Sequence, residues 1–186
     1  MEFAIGREID VLYFLQSIRF EPLTGIMKFI SLIGEAGVVW IAFAVILLCI
    51  KKYRYAGLTS AISLLMEYIV TNRILKVSIG RVRPYVMYSG LDVLGVVPND
   101  ASFPSGHSGA AFAVATVMLV MLPKKYGVPA FVLACLMAFS RLYLGAHFPS
   151  DVIAGIAIGC LFAFIAYKIM HTKKINSFFC KDNQKR

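Results

Sequence analysis

The chain has 186 residues, 59% of them hydrophobic and only 16% charged, with a mean hydropathy of +0.76. A water-soluble domain of that length cannot hide so much apolar surface, and the same content excludes a disordered chain. A formal charge of +9 would suggest a polyanion partner in a polar chain; on an apolar one its distribution matters more than its sum.

The four cysteines, Cys49, Cys135, Cys160 and Cys180, lie far apart with no CxxC pair, so they read as small hydrophobes rather than disulfide partners or metal ligands. The opening MEFAIGREID lacks the basic start and unbroken apolar stretch of a cleavable signal peptide. Residues 4–20 hold Arg7, Glu8, Asp10 and Arg19, too many charges for a comfortable crossing, while Ile5, Ile9, Leu12 and Tyr13 recur at helical spacing. An amphipathic helix over residues 1–21, lying along the outer interface, is expected. Apolar runs of bilayer length follow at 26–50, 56–75, 105–122, 128–145 and 152–170. The first contains Lys28 and Glu35, which places its start at an interface. The second contains Glu67, Asn72 and Arg73, which should face the bundle interior or the headgroups.

Between these runs, KKYRY at 51–55 and PKKYG at 123–127 read as tight basic turns. Residues 76–104, with Gly80, Pro84, Gly90, Gly95 and Pro98, read as a long loop of the kind that carries function. In the last run Gly155 and Gly159 have the spacing of close helix packing, a pattern common in membrane helices. The expected fold class is all-α: a polytopic membrane helical bundle of five spans, or six if the N-terminal segment crosses, plus the N-terminal amphipathic helix. It forms a single membrane-embedded domain over 1–186.

More than half of the lysines and arginines fall in three places: Lys51, Lys52 and Arg54; Lys124 and Lys125; and Lys168, Lys173, Lys174, Lys181, Lys185 and Arg186, with Asp182 the one acid among them. Cytoplasmic flanks carry such an excess. Both turns and the basic tail, 171–186, are therefore expected in the cytoplasm, and the 76–104 loop and 146–151 turn outside. The rest of the chain is close to neutral.

Three stretches collect polar residues that a plain helical bundle does not need: KVSIGRVRP at 76–84, FPSGH at 103–107 and SRLYLGAHFPSD at 140–151. Helix parity puts all three at the outer face, where they can converge. Lys76, Arg83 and Arg141 supply three cations, two with planar forks suited to phosphate oxygens. Ser105 can cap the helix that follows, and its first-turn amides, with Gly106 allowing close approach, offer an anion cup. Pro149 is compatible with a helix start, so Asp151 can reach one nitrogen of His147 and hold the other toward substrate as a nucleophile. His107 can protonate a leaving oxygen. Two histidines with separate tasks and three cations describe phosphoryl transfer through a phosphohistidine, with no metal; the third histidine, His171, lies in the basic tail.

Taken singly, each of these residues has an ordinary structural reading: a snorkelling cation, a packing Ser-Gly, a helix-start Asp. Their order and shared face favour catalysis. Glu67, Arg73 and Arg81 lie outside the pattern and are expected to touch headgroups or form an internal pair. Together the stretches resemble the three signature motifs of the type-2 phosphatidic acid phosphatase family, at Lys76, Arg83 and Pro84, at Pro104, Ser105, Gly106 and His107, and at Ser140, Arg141, His147 and Asp151. The resemblance implies a helical bundle without metal or other cofactor. It also implies His147 as nucleophile, Asp151 as its partner, His107 as general acid, and Lys76, Arg83, Ser105, Gly106 and Arg141 as phosphate ligands. The short N-terminus departs from members that have a full first span.

Two rival readings fit the sequence less well. An anionic-lipid carrier would need access from both sides, with repeats that this chain lacks. A vanadate-dependent haloperoxidase has a similar anion pocket, but known members are soluble. The implied partners are the bilayer and a lipid phosphate or diphosphate, with no nucleic acid and no obligate protein partner. The chain resembles members acting on undecaprenyl diphosphate in the bacterial plasma membrane, with phosphatidylglycerophosphate and phosphatidic acid as alternatives.

Overall fold

A computed structural model describes residues 2–172, with side-chain burial from Arg7 onward, and all regular structure among them is helical. The tail cations Lys173, Lys174, Lys181, Lys185 and Arg186, with Asp182 and Cys180, lie outside the described residues, as does the side chain of Ile5.

Helix α1 (Glu2–Ser17) packs Ile9 and Leu12 against Leu91 and Phe148. Its apolar stripe thus covers protein, while Tyr13 lies partly exposed beside Gly90 and Phe14 is exposed. Helix α2 (Glu21–Ile33) has Pro22 in its first turn, where a missing N–H is harmless. The run expected to cross as one span over 26–50 is broken: a turn at Glu35–Gly37, with φ of 50° at Ala36 and 71° at Gly37, sends α3 (Val38–Cys49) off at 48° to α2. Glycine accepts that positive φ without strain. Gly34, just before the bend, lets the chain pass close to the side chains of Met137 and His107.

Helix α4 (Arg54–Tyr68) continues through a π-turn at Ile69–Leu75 into α5 (Lys76–Ile79), which Gly80 ends at φ 59°. Lys76 therefore rides on the end of a long helix; the loop expected to begin there begins after it. A short helix α6 (Pro84–Met87) lies within the loop. Helices α7 (Gly106–Met121), α8 (Lys124–Tyr143) and α9 (Pro149–Met170) complete the bundle. Because α8 starts at Lys124, the PKKYG stretch is the start of a helix and not a separate turn.

The buried centre is α7, whose Ala110, Ala111, Val114 and Ala115 meet Ala134, Met137 and Trp40 of the neighbouring helices. On the face toward α9, Gly155 lies against the Ser105 carbonyl and Gly109, and Gly159 against the backbone of Gly109 and Ala113. The basic turns gather at one end, where Tyr53 meets Tyr126 with ring centroids 6.2 Å apart and Tyr55 meets His171 at 5.4 Å. Since α7 runs from Gly106 to that end, the motif residues lie at the other. Phe29, Leu65, Val132, Leu161 and Phe164 are exposed, as suits an apolar surrounding. Helices α8 and α9 are each long and apolar enough to cross a membrane, and the bent α2–α3 pair makes a third candidate.

Gly159→Val should lower the thermal unfolding temperature in detergent, because its Cβ would sit 2.9 Å from the Ala113 nitrogen and 3.0 Å from the Phe112 Cβ. Overpacking of this kind costs about 1–3 kcal/mol. Gly25→Ala, at a helix position with nothing within 4 Å, should match or exceed the parent.

Candidate active site

The bend before α3, the end of α4–α5 and the start of α7 enclose a cavity of about 520 Å³ lined by Lys76, Arg83, Gly106, His107, Arg141 and His147. Of the residues expected at the site, Ser105 and Asp151 lie just behind this lining. Ser105 is the residue before α7, and its Oγ accepts from the Ser108 amide at 3.4 Å. Its own amide donates to the Asp151 carbonyl at 3.0 Å, which ties the start of α7 to the first turn of α9.

The cations are held by groups from distant parts of the chain. Arg83 donates to the Asp100 carbonyl at 2.8 Å, the Asp100 carboxylate at 2.6 Å and the Ala146 carbonyl at 2.8 Å. Lys76 pairs with the other Asp100 oxygen. Burial alone would raise the Asp100 carboxyl, but Lys76 and Arg83 outweigh it and hold the group down at about 2. Arg141 is buried, donates to Ser31 Oγ of α2 and has no hydrogen-bond partner on its Nε.

His147 Nε2 lies 3.2 Å from Arg83 Nη1. A guanidinium only donates, so Nε2 is the acceptor and a neutral ring carries its proton on Nδ1. That nitrogen faces Asp151 Oδ2 at 3.6 Å, the pairing expected from the four-residue spacing but longer than a hydrogen bond. Burial, aided by Arg83 and Arg141, outweighs Asp151 and pushes His147 down to about 3, so its ring is neutral at ordinary pH. Opposite, His107 Nε2 is 3.6 Å from Glu35 Oε2, a carboxylate brought in by the bend at 35–37.

Sequence reasoning missed Asp100, Glu35, Ser31 and Ser102. The last donates to Asp151 Oδ2 at 2.5 Å. Of the residues left outside the motifs, Arg81 forms an internal pair with Glu8 and Asp151, Arg73 lies over the Tyr68 ring at 5.8 Å, and Glu67 is buried at the cavity wall against Gly109. Only the flanking glycines at 34 and 37 hinted at the bend that delivers Glu35.

The sequence pattern described as the PAP2 superfamily matches residues 54–175. An undecaprenyl-diphosphatase of Sulfolobus acidocaldarius is 32% identical over 171 residues, covering 92% of this chain and 82% of that protein. Undecaprenyl-diphosphatase BcrC of Bacillus subtilis is 32% identical over 157 residues, covering 78% and 74%. Among solved structures, a PAP2-type phosphatidylglycerolphosphate phosphatase from Bacillus subtilis superposes with a TM-score of 0.77 at 28% identity, covering 93% of this chain and 90% of that one. The match to the pattern spans every motif that lines the cavity, and the chain belongs to the PAP2 superfamily as a membrane phosphatase.

Proposed function

We propose that the protein removes a phosphate from a lipid phosphate or diphosphate, undecaprenyl diphosphate above the alternatives, through a phosphohistidine on His147. One observation carries the reading: Lys76, Arg83 and Arg141 converge on one cavity beside His147 Nε2, with a carboxylate already bridging two of the cations. A phosphate has the charge and the oxygens to take over the position of Asp100 and to meet the open Nε of Arg141. Beyond this polar end the cavity wall is apolar, formed by Ile41, Val45, Leu48, Leu64 and Leu65 between α3 and α4. Such a wall suits a substrate whose phosphate sits at headgroup depth and whose chain stays in the bilayer. The similarity over most of the chain to two undecaprenyl-diphosphatases supports the choice of lipid.

When a phosphate oxygen accepts the Arg83 proton now directed at Nε2, the imidazole lone pair is free to attack phosphorus. The N–P bond forms as the P–O bond to the leaving group breaks, and protonated His107, paired with Glu35, gives its proton to the departing oxygen. Nδ1–H, directed at Asp151, stabilises the charged ring. Water then attacks the phosphohistidine, His107 takes up its proton, the N–P bond breaks and orthophosphate leaves. Every role in this scheme falls to a side chain. In this reading the α2–α3 pair, α4, α7, α8 and α9 cross the membrane, α1 lies at the interface, and the basic turns set the site on the extracytoplasmic side. The same reading puts the protein in a bacterial plasma membrane.

His147→Ala should lower phosphate release from undecaprenyl diphosphate in micelles by about 1,000-fold or more, with the lipid still bound; normal turnover in the purified variant would sink the mechanism. Release should persist in a chelator and be inhibited by vanadate, and complete dependence on an added divalent ion would contradict the reading. A panel including phosphatidylglycerophosphate and phosphatidic acid, compared by kcat/KM, ranks the substrates.

Asp100→Asn should tighten inhibition by orthophosphate about fivefold, the ~1 kcal/mol of a half-exposed ion pair that no longer competes for Lys76 and Arg83. Because that carboxyl stays ionised down to about 2, protonation of Asp100 does not erase the gain in mildly acid solution. Unchanged or weaker phosphate inhibition would show that Asp100 does not stand where the anion binds.

A further inference from the structure

Asp151 is fully buried, and its hydrogen bonds leave little to chance. Oδ1 accepts from Arg81 Nη1 at 2.6 Å, and Oδ2 accepts from Ser102 Oγ at 2.5 Å and from the Phe148 amide at 2.9 Å. The Ser102 amide in turn donates to the Arg81 carbonyl at 2.8 Å. Arg81 therefore holds both carboxylate oxygens, one through its guanidinium and the other through its backbone and Ser102.

Arg81 is itself fixed from the far side. Its Nη2 donates to Glu8 Oε2 at 2.8 Å, while Glu8 Oε1 accepts from the Ser150 amide at 2.7 Å, and Arg81 Nη1 also donates to Ser150 Oγ at 2.6 Å. The guanidinium lies over the Phe148 ring at 4.2 Å, and that ring is packed by Ile9 and Leu12 of α1. Glu8 belongs to the N-terminal helix, which precedes the stretch matched by the superfamily pattern. A bare surface pair would be worth little; this one is largely enclosed, with side-chain exposures of 19% for Arg81 and 15% for Glu8.

We propose that Arg81, pinned by Glu8 of the N-terminal helix, is a positioning residue that sets the Asp151 carboxylate against His147, which makes α1 a working part of the active site. The proposal rests on the reading of His147 as nucleophile with Asp151 as its partner. The distance from His147 Nδ1 to Asp151 Oδ2 is 3.6 Å, so a small displacement of the carboxylate decides whether the ring is held or released. Removing the Arg81 side chain frees Oδ1, while the backbone bond between Ser102 and residue 81 stays in place. Removing Glu8 leaves Arg81 able to swing away from Asp151.

The charged groups acting on His147 are Arg83 from the loop, Arg141 from α8 and Asp151 from α9, with Arg81 and, behind it, Glu8 of α1 acting through Asp151. Without Arg81 the Asp151 charge acts on the imidazole with no counter-ion, so the ring takes up a proton at higher pH.

The test compares Arg81→Ala, Arg81→Lys, Glu8→Ala and His147→Ala in detergent, with undecaprenyl diphosphate as the probe, following kcat, KM, the pH profile of kcat/KM and thermal unfolding. Arg81→Ala should lower kcat about 100-fold and Glu8→Ala about 10-fold, with KM within about threefold of the parent. The acid limb of the Arg81→Ala profile should move to higher pH, and Arg81→Lys, which keeps the charge but not the fork, should recover part of kcat. A folded Arg81→Ala with kcat within about threefold of the parent, or a loss confined to KM with the acid limb unmoved, overturns the proposal. If Arg81→Ala does not fold, Arg81→Lys and Glu8→Ala decide by the same readouts. An active His147→Ala would overturn the reading of the nucleophile instead, whereas an inactive His147→Ala beside an unaffected Arg81→Ala removes the positioning role alone.

Discussion

Helices α7 and α9 run side by side from the same end with almost no side chain between them, and the site depends on that closeness. Gly155 and Gly159 of α9 lie on the backbone of Ser105, Gly109 and Ala113. Small residues let membrane helices approach in this way. The consequence is chemical as well as mechanical. The Ser105 amide reaches the Asp151 carbonyl, so the Pro-Ser-Gly-His loop and the His-x-x-x-Asp turn are stitched together at the positive ends of two parallel helices. Gly109 also makes room for Glu67 of α4, which closes the third side of the cavity. A wider crossing would separate His107 from His147 before it touched either residue.

That junction collects Lys76, Arg83 and Arg141 in a small volume, and like charges so placed need compensation. The Asp100 carboxylate bridges two of them, and backbone carbonyls of Asp100 and Ala146 occupy further protons of Arg83. The planar fork explains why this position is an arginine: it reaches Asp100, Ala146 and His147 in one geometry, which a lysine cannot do. Lys76 acts differently, as a point charge at the end of a helix. The phosphate proposed as substrate carries more negative charge than the carboxylate it displaces, and Arg141, which Asp100 does not pair, supplies the additional cation.

The motif residues were legible because each motif is short and its members are fixed by local chain geometry: a helix end at Lys76, the cap at Ser105, the turn before Pro149. Helix existence followed from apolar run length. What the sequence hid was carried by tertiary contact. Asp100 reads as one acid in a polar loop, Glu35 as an interfacial charge inside an apolar run, and Ser31 as nothing at all, until the bend at 35–37 and the loop fold back over the cavity. Arg81 sat inside the first motif stretch, yet its partner Glu8 is far away in a segment whose charges suggested a membrane surface. Hydropathy suggested an amphipathic α1; it could not report that Glu8 on that helix meets a protein cation.

The His147–Asp151 pair has to satisfy two opposing demands. In the proposed mechanism a carboxylate near the imidazole orients its Nδ1–H, yet a carboxylate with its full charge free would favour protonation of the ring and remove the lone pair assigned to the attack. In this protein the charge of Asp151 is shared among Arg81, Ser102 and the Phe148 amide, and Arg83 and Arg141 act on the ring from the other side. Burial, aided by Arg83 and Arg141, keeps the ring neutral although it faces an anion, and in the proposed mechanism that anion stabilises the charge formed when Nε2 bonds to phosphorus. In the proposed mechanism Arg81 belongs to the balance between orientation and protonation as much as to the architecture, and Glu8 of the N-terminal helix joins that balance through Arg81.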